Sequence, residues 1–347
     1  MQEHFFVGTY TKKSSQGVYQ MSLDLDTGRL SAPILVAHAD SPTYLARSAA
    51  NRLYTVDKDA NAHTGGTSAF DLSTTPATLL NHVFSDGSSA AYEAVDEKRQ
   101  LVYEGNYHMG TVKSLTIQPD GSLKVADIIT HHGTVGPKPE QADGPHVHFT
   151  NLTPDHRLVV CDLGLDQVMI YNVSDAGKLT LVSTFDTTAG FGPRHIVFHP
   201  TKPLAYLAGE LSSEISVLHY DAANGTFTHL QTLSTIPNDW TAHNGAAAIR
   251  ISADGQFVYV SNRGFNTIAG FAVGEDGLLS LRQQISTEGD FPRDFDLDPS
   301  QRFIVAVNQN TDNATLYQRN ATTGQLSLLQ KDVAVPEGVC VLFDPIA

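Results

Sequence analysis

Short runs of apolar residues, separated by turn residues, recur along the whole chain. One run, Ile196–Phe198, is joined to a second, Leu204–Ala208, by a Pro-Thr-Lys-Pro turn. Apolar runs of this length with turn residues at both ends are typical of buried strands, so this pair predicts an antiparallel hairpin. The open end of such a hairpin brings the start of the first strand beside the end of the second. We therefore expect Arg194 and Glu210 to lie together.

The pattern that opens this hairpin is repeated along the chain. Each copy continues with a turn, a second apolar run, a polar loop, a third run, another turn and a fourth run. The copies, of which the first two are weaker, open near Ser41, Ala90, Gly144, Gly192, Gly245 and Phe291. Four strands per unit, repeated every roughly 45–55 residues, are the signature of a β-propeller.

The two ends of the chain complement each other. The N-terminal part supplies runs at Phe5–Thr9, Gly17–Leu25 and Ile34–Ala37 but no first strand, whereas segment 336–345 resembles a first strand and nothing more. Six complete units and one divided unit predict an all-β, seven-bladed propeller with four antiparallel strands per blade. The N-terminal strands and one C-terminal strand would close the ring and remove its exposed edges. A solenoid is the alternative, but it would have atypical capping units at its ends. We expect residues 1–347 to form this single domain.

The net charge of the chain argues against two classes of binding partner. The formal net charge is -15, with 22 Lys and Arg residues against 37 Asp and Glu. Nucleic acids and anionic membranes both need a basic surface, so we expect neither as a partner. The start of the chain has no signal-peptide pattern and no apolar run is long enough to span a bilayer, which predicts a cytoplasmic protein. The composition leaves the oligomeric state open.

Candidate site residues follow from their positions in the repeat. The starts of first strands and the ends of second strands share one face of the disc, together with the long connections 130–143, 187–191 and 235–243. Long loops on a rigid scaffold are where binding sites are usually built. The candidates near the axis on this face are Tyr10, His146, His148, Arg194, His195, Glu210, Asn262, Arg263 and Arg293.

The arginines in this set indicate an anionic ligand. Guanidinium groups bind carboxylate and phosphate in bidentate fashion, and such a cluster is informative in so acidic a chain. The alternative is that the arginines only neutralise Glu210, Asp162 and Glu337 at the mouth of the channel.

Histidines raise two further questions. His146 and His148 are two residues apart near the start of one strand, and of the two we favour His146 for the site. His131 and His132 lie in a nearby loop, but no cysteine or HExxH pattern supports a metal site there. The chain also lacks a P-loop, a Rossmann fingerprint and a Gly-x-Ser-x-Gly elbow. We expect neither a cofactor nor a metal. The sequence leaves open only whether the His131–His132 loop binds a metal.

Several motifs resemble those of the bacterial seven-bladed propeller 6-phosphogluconolactonases, the lactonase family. The resemblance covers nearly the whole chain and rests on Val7–Thr11, Gly17–Tyr19, Pro145–His148, Thr153–Asp155, Gly192–Pro200, Gly209–Glu210, Val258–Gly264 and Phe291–Arg293. It implies hydrolysis of 6-phosphogluconolactone to 6-phosphogluconate in the pentose phosphate pathway. Fungal enzymes that interconvert a carboxymuconate and its lactone share the fold, and their proposed site corresponds here to His146, Arg194, Glu210 and Arg263. Many members of the family have Asn-Glu where this chain has Gly209–Glu210, so one neighbouring contact differs.

The mechanistic hypothesis assigns a role to each group. His146 or Glu210 would take a proton from water, and Arg263 would face the developing oxyanion. Arg194, with Arg293, would hold a phosphate or carboxylate, while His148, His195, Asn262 and Tyr10 would contact a small anionic lactone. A cycloisomerase acting on a carboxylated lactone and a non-catalytic ligand-binding propeller are the alternatives, because a fold does not fix a function.

Overall fold

The N-terminal strands form most of one blade in a ring. The computed structural model of the protein describes residues 1–343, and its strands form seven antiparallel sheets. The first blade contains β1 (Gln2–Thr9), β2 (Gly17–Asp24), β3 (Arg29–Leu30) and β4 (Ile34–His38). Both β3 and β4 pair with β2, so the outer strand of this blade is divided in two. The interruption includes Pro33, which has no N–H to donate to a neighbouring strand.

Six further blades follow in chain order, and in each the four strands pair in sequence. Their strands are β5 (Leu45–Ser48), β6 (Arg52–Asp59), β7 (Thr64–Asp71), β8 (Thr78–Asp86); β9 (Tyr92–Asp96), β10 (Leu101–Asn106), β11 (Thr111–Ile117), β12 (Leu123–Thr130); β13 (Val147–Leu152), β14 (Leu158–Asp162), β15 (Gln167–Val173), β16 (Leu179–Asp186); β17 (Pro193–Phe198), β18 (Leu204–Gly209), β19 (Glu214–Asp221), β20 (Thr226–Ser234); β21 (Gly245–Ile251), β22 (Phe257–Arg263), β23 (Thr267–Val273), β24 (Leu279–Ser286); β25 (Pro292–Leu297), β26 (Phe303–Asn308), β27 (Asn313–Arg319) and β28 (Leu326–Ala334).

The last strand closes the ring. β29 (Gly338–Phe343) pairs antiparallel with β1, with Phe343 opposite Phe5 and Val341 opposite Val7. This pairing confirms the seven-bladed all-β propeller and its closure by N-terminal strands plus one C-terminal strand. Residues 344–347, which belong to the expected domain and include the end of segment 336–345, lie outside the described residues.

The core lies between the blades. Each main hydrophobic cluster is centred on the interface between two neighbouring blades, such as that of Leu204, Tyr206 and Ile249. β18 is buried along its entire length because blades cover both of its faces, which explains its continuous apolar sequence. The outer strands are instead mostly exposed or half-buried, as β16 is after its first residue.

Bulges interrupt the pairing of the third and fourth strands in every blade. A bulge twists an outer strand and makes its edge a poor template for another chain. The connection between β12 and β13 contains a 3₁₀ turn, Pro139–Gln141. No helix within residues 1–343 is long and apolar enough to cross a membrane.

Candidate active site

Three of the innermost strands begin with a bulge on the same face of the ring. In β13, Val147 lies opposite Asp162 and Phe149 lies opposite Cys161, which leaves the residue between them without a partner. The strands β17 and β25 show the same shift near their starts. The residues left out of register are His148, Arg194 and Arg293. A bulge redirects a side chain away from regular alternation, and bulges are common beside active sites.

A cavity of about 760 Å³ lies on this face, near the axis of the ring. Ligand sites typically enclose about 300–1,000 Å³. Of the predicted residues, Tyr10, His148, Glu210, Arg263 and Arg293 line this cavity. The structure therefore brings together side chains from five blades around a space large enough for a small-molecule ligand.

Glu210 joins two of the arginines. Its Oε2 lies 2.9 Å from Nε of Arg194 and 2.8 Å from Nη2 of Arg263. Burial by itself would raise the pKa of the Glu210 carboxyl, but the charges on Arg263 and Arg194 outweigh it and hold that pKa at about 2. Burial, followed by the charge on Arg263, lowers the pKa of Arg194 to about 9. Glu210 is therefore an ionised anchor for the arginines and a poor base at neutral pH.

Local backbone features hold Arg263 in place. Its Nε donates to the carbonyl oxygen of Gly245 at 3.4 Å, and its Nη2 donates to that of Ala246 at 3.5 Å. A Cβ at Gly245 would lie 2.9 Å from Nη2 of Arg263 and 3.5 Å from Cγ of Glu210. Glycine at this position leaves room for the ion pair.

Arg293 has a different environment. Within residues 1–343 it makes no ion pair, and its guanidinium lies 5.9 Å from the centre of the Tyr10 ring. The charge on Arg293 is also the largest influence on Tyr10, whose pKa it lowers. Arg293 is thus a cation at the cavity wall that is available to an anionic ligand.

His148, rather than His146, is the histidine that lines the cavity. Its Nδ1 is buried without a hydrogen-bond partner among the described residues. Burial, and after it the charge on Arg194, lowers the pKa of His148 well below its usual 6.5. A buried polar atom left unpaired is costly, so it suggests a use in function. His148 is accordingly neutral at pH 7, and no described residue engages its Nδ1.

His146, which the sequence proposed with Glu210 as a possible base, lies outside the cavity lining and makes two hydrogen bonds. Its Nδ1 lies 2.9 Å from the carbonyl oxygen of Tyr107, and its Nε2 lies 2.9 Å from Oδ1 of Asp143. The hydrogen bond from His146 lowers the pKa of Asp143, which is therefore an ionised acceptor. The two ring nitrogens of His146 are therefore engaged by a carbonyl oxygen and a carboxylate oxygen. Neither nitrogen is free to take a proton from water.

Three other predicted residues lie outside the cavity lining. Arg194 is only 2% exposed, so its charge is used by Glu210 and is not open to a ligand. His195 packs deeper in the channel, with its ring 5.2 Å from that of His148 and 5.1 Å from that of Tyr92. Asn262 is fully buried and exchanges hydrogen bonds with Thr235 at 2.7 and 3.0 Å. The structure shows structural contacts for His195 and Asn262, and ligand contacts at these two residues stay a prediction.

The alternative was that the arginines only neutralise three carboxylates at the mouth of the channel. Of these carboxylates, only Glu210 pairs with arginines of the site. The Glu337 carboxylate accepts four backbone N–H groups from residues 12–15, at 2.9 to 3.2 Å. Asp162 accepts the backbone N–H groups of His146 and Leu165 and lies 2.8 Å from Nδ1 of His131. These two carboxylates position loops and do not pair with the arginines.

A metal site has no support from the arrangement of the described residues. The ring of His131 bridges Asp162 and the hydroxyl of Tyr171, at 2.8 and 2.9 Å. Within residues 1–343, no group of three or more His, Cys, Asp or Glu side chains is placed to hold a metal ion.

Two lysines that the sequence reasoning missed also line the cavity. Lys12 follows β1 by three residues, and Lys58 lies near the end of β6. Both lie at or just beyond the ends of second strands, which is the positional rule that selected Tyr10. Extending that rule by two residues would have found them.

Comparison with known proteins finds relatives that match nearly the whole chain. A family model described as "Lactonase, 7-bladed beta-propeller" matches residues 4–343. A 6-phosphogluconolactonase of Bacillus subtilis is 41% identical, with 97% of each chain covered. Among solved structures, a Lactobacillus plantarum protein is 59% identical with a TM-score of 0.96, and 99% of each chain is covered. A periplasmic gluconolactonase of Pseudomonas aeruginosa is 29% identical with a TM-score of 0.90, and 99% of each chain is covered.

Proposed function

Because the chain belongs to the seven-bladed β-propeller lactonase family, we propose that it hydrolyses the lactone of a sugar acid, and first of all 6-phosphogluconolactone. The named Bacillus subtilis relative supports this substrate. The observation that carries the proposal is the neutral His148 beside Arg263 and Arg293 in one cavity. Lactone hydrolysis needs such a base together with cations for the oxyanion. With this substrate the enzyme would act in the pentose phosphate pathway.

In the proposed reaction His148 takes a proton from a water molecule that attacks the lactone carbonyl carbon. The carbonyl oxygen becomes an oxyanion, which Arg263 stabilises, while Arg293 binds a neighbouring oxygen of the substrate. When the tetrahedral intermediate collapses, the bond between the carbonyl carbon and the ring oxygen breaks. The protonated His148 then returns its proton to the leaving alkoxide, which yields the open acid and restores the neutral histidine.

The neutrality of His148 suits this cycle. Burial, and after it the charges on Arg194 and Arg293, disfavours a proton on its ring and lowers its pKa. An anionic substrate offsets those charges and makes the ring more basic when the substrate is bound. Glu210 contributes by positioning: its shared oxygen fixes Arg263 relative to Arg194.

The decisive experiment is hydrolysis of 6-phosphogluconolactone by the purified protein, with the spontaneous rate subtracted. Turnover that saturates with substrate and scales with protein concentration is the expected result. A rate that stays at the spontaneous level with a panel of phosphorylated, unphosphorylated and carboxylated lactones would contradict the proposal. Tight binding of a metabolite anion without turnover would then favour a ligand-binding propeller.

A second candidate is hydrolysis of an unphosphorylated sugar lactone. The observation that favours it is the structural similarity to the Pseudomonas aeruginosa gluconolactonase. Comparing kcat/KM for gluconolactone and for 6-phosphogluconolactone distinguishes the two substrates.

A further inference from the structure

The cavity concentrates positive charge in a strongly acidic chain. The net charge of the chain is -15, yet Lys12, Lys58, Arg263 and Arg293 line the cavity against the acids Asp59 and Glu210. Glu210 is already paired with Arg263 and Arg194. The side chain of Asp59 accepts the backbone N–H groups of the turn that follows it. The lining therefore offers cations beyond those needed to balance its own carboxylates.

Lys12 lies close to the proposed reaction centre. Its Nζ is 4.2 Å from the centre of the Tyr10 ring, and the guanidinium of Arg293 is 5.9 Å from the same centre. The two cations are therefore separated by at most about 10 Å across one aromatic ring. A six-carbon lactone carries its phosphate about 6 Å from the carbonyl carbon, as judged from covalent bond lengths. One substrate molecule can span both cations.

Lys58 approaches this region from the neighbouring blade. Its Nζ lies 3.8 Å from Oδ1 of Asp40, and the same oxygen accepts the hydroxyl of Thr11 at 2.6 Å. The side chain of Lys58 is 34% exposed, and its contact with Asp40 is at the limit of an ion pair. Asp40 thus brings Lys58 close to the loop that carries Lys12 and leaves its ammonium group able to bind another anion.

Hydrogen bonds hold the backbone of residues 12–15, which carries Lys12, before any ligand binds. The buried carboxylate of Glu337 accepts the N–H groups of Lys12, Lys13, Ser14 and Ser15, so a single side chain organises the loop after β1. Preorganisation of this kind lowers the entropy cost of binding.

We propose that Lys12 and Lys58 form a phosphate subsite in the outer part of the cavity and orient the lactone end of the substrate towards His148, Arg263 and Arg293. The assignment rests on the proposed lactonase function. It replaces the expected role of Arg194, which is buried and paired with Glu210. Ammonium groups bind phosphate as point charges, and hydrogen bonds between charged groups are stronger than those between neutral ones.

The test compares one substrate with phosphate and one without it. We would measure kcat/KM for 6-phosphogluconolactone and for gluconolactone with the wild-type protein, Lys12→Met, Lys58→Met and the double variant. Lys13→Met is the matched control, because Lys13 neighbours Lys12 but faces Asp312 at 3.4 Å outside the cavity. The double variant should lose about 100-fold or more in kcat/KM with the phosphorylated lactone, against about threefold or less with gluconolactone. The control should keep both values.

A parallel fall with both substrates, or no fall with the phosphorylated one, would overturn the subsite. So would a wild-type preference for gluconolactone, although that result would leave the lactonase function intact. A calorimetric titration separates the two proposals further, because it requires no turnover. The wild-type protein should bind 6-phosphogluconate at least about 10-fold more tightly than gluconate, and the double variant should lose that difference. Equal affinities in the wild type would contradict the subsite whether or not the protein is a lactonase.

Discussion

Glu210 and Arg263 come from adjacent blades and meet in an ion pair of 2.8 Å between Oε2 and Nη2. The same oxygen lies 2.9 Å from Nε of Arg194, which precedes Glu210 in the same hairpin. One carboxylate therefore fixes two guanidinium groups, of which only Arg263 lines the cavity. Arg194 is buried and Arg263 lines the cavity. We therefore expect substitutions in this cluster to have separate effects on stability and on catalysis.

Replacing Glu210 by Gln should destabilise the fold at neutral pH. The variant leaves the buried Arg194 without its anion, and breaking such a pair costs about 3 kcal/mol. Because the folded pKa of about 2 is below the usual 4.5, the stabilisation is complete above pH 4.5 and is lost as the pH falls towards 2. Urea unfolding between pH 7 and pH 3 should therefore show the wild type and the variant converging in acid. Glu214→Gln is the control, and equal losses in both variants at pH 7 would contradict this role.

Replacing Arg263 by Met should affect catalysis more than binding. Removal of one oxyanion donor typically lowers kcat about 100-fold or more, because the contact strengthens only in the transition state. Steady-state kinetics should show a large fall in kcat with a smaller change in KM. Arg282→Met, in the outer strand β24, serves as the control. An unchanged kcat would remove Arg263 from the reaction.

The two neighbouring histidines should respond differently to substitution. His148→Gln removes the proposed base, so kcat/KM should fall about 100-fold or more. His146→Gln should cost about 10-fold or less, because both ring nitrogens are already engaged with Tyr107 and Asp143. Paired kinetic measurements, with circular dichroism to check folding, decide between them. The opposite ranking would restore His146 as the base.

The pH dependence of activity offers an independent check on the base. Burial lowers the pKa of His148 below 6.5, so its neutral form persists as the pH drops through that value. The acid limb of kcat/KM, which reports the free enzyme, should therefore lie below pH 6.5. An acid limb centred at or above pH 6.5 would argue against His148.

Glu337→Gln should loosen the loop that carries Lys12. A Gln side chain keeps one acceptor oxygen and no charge, whereas the carboxylate accepts four N–H groups. Amide hydrogen exchange of residues 12–15 should accelerate by about 10-fold or more. Glu288→Gln, which breaks only a surface pair with Lys331, should leave that exchange unchanged. Unaltered protection in Glu337→Gln would mean that other contacts hold the loop.

The blade count could be predicted because its signal is local and repeated. Each blade needs four apolar runs with turns between them, and the two partial units at the ends complement each other in sequence. Neighbouring positions within a blade were also predictable, so Arg194 and Glu210 were correctly placed together. Choosing between His146 and His148 depended on the local path of β13. A bulge leaves His148 without a partner on the neighbouring strand, and no residue type in the sequence predicts that bulge.

The sequence by itself determined the propeller, its closure through β1 and β29, and the face on which polar side chains gather. It did so because strand periodicity and turn chemistry act over a few residues and recur in every blade. Only the tertiary structure decided which of those side chains reach the cavity. That choice depends on the bulges at His148 and Arg293, and on contacts between distant segments, such as Glu337 with the loop after β1. Burial and charge pairing between residues far apart in the sequence are set by tertiary packing. No local sequence pattern encodes that packing.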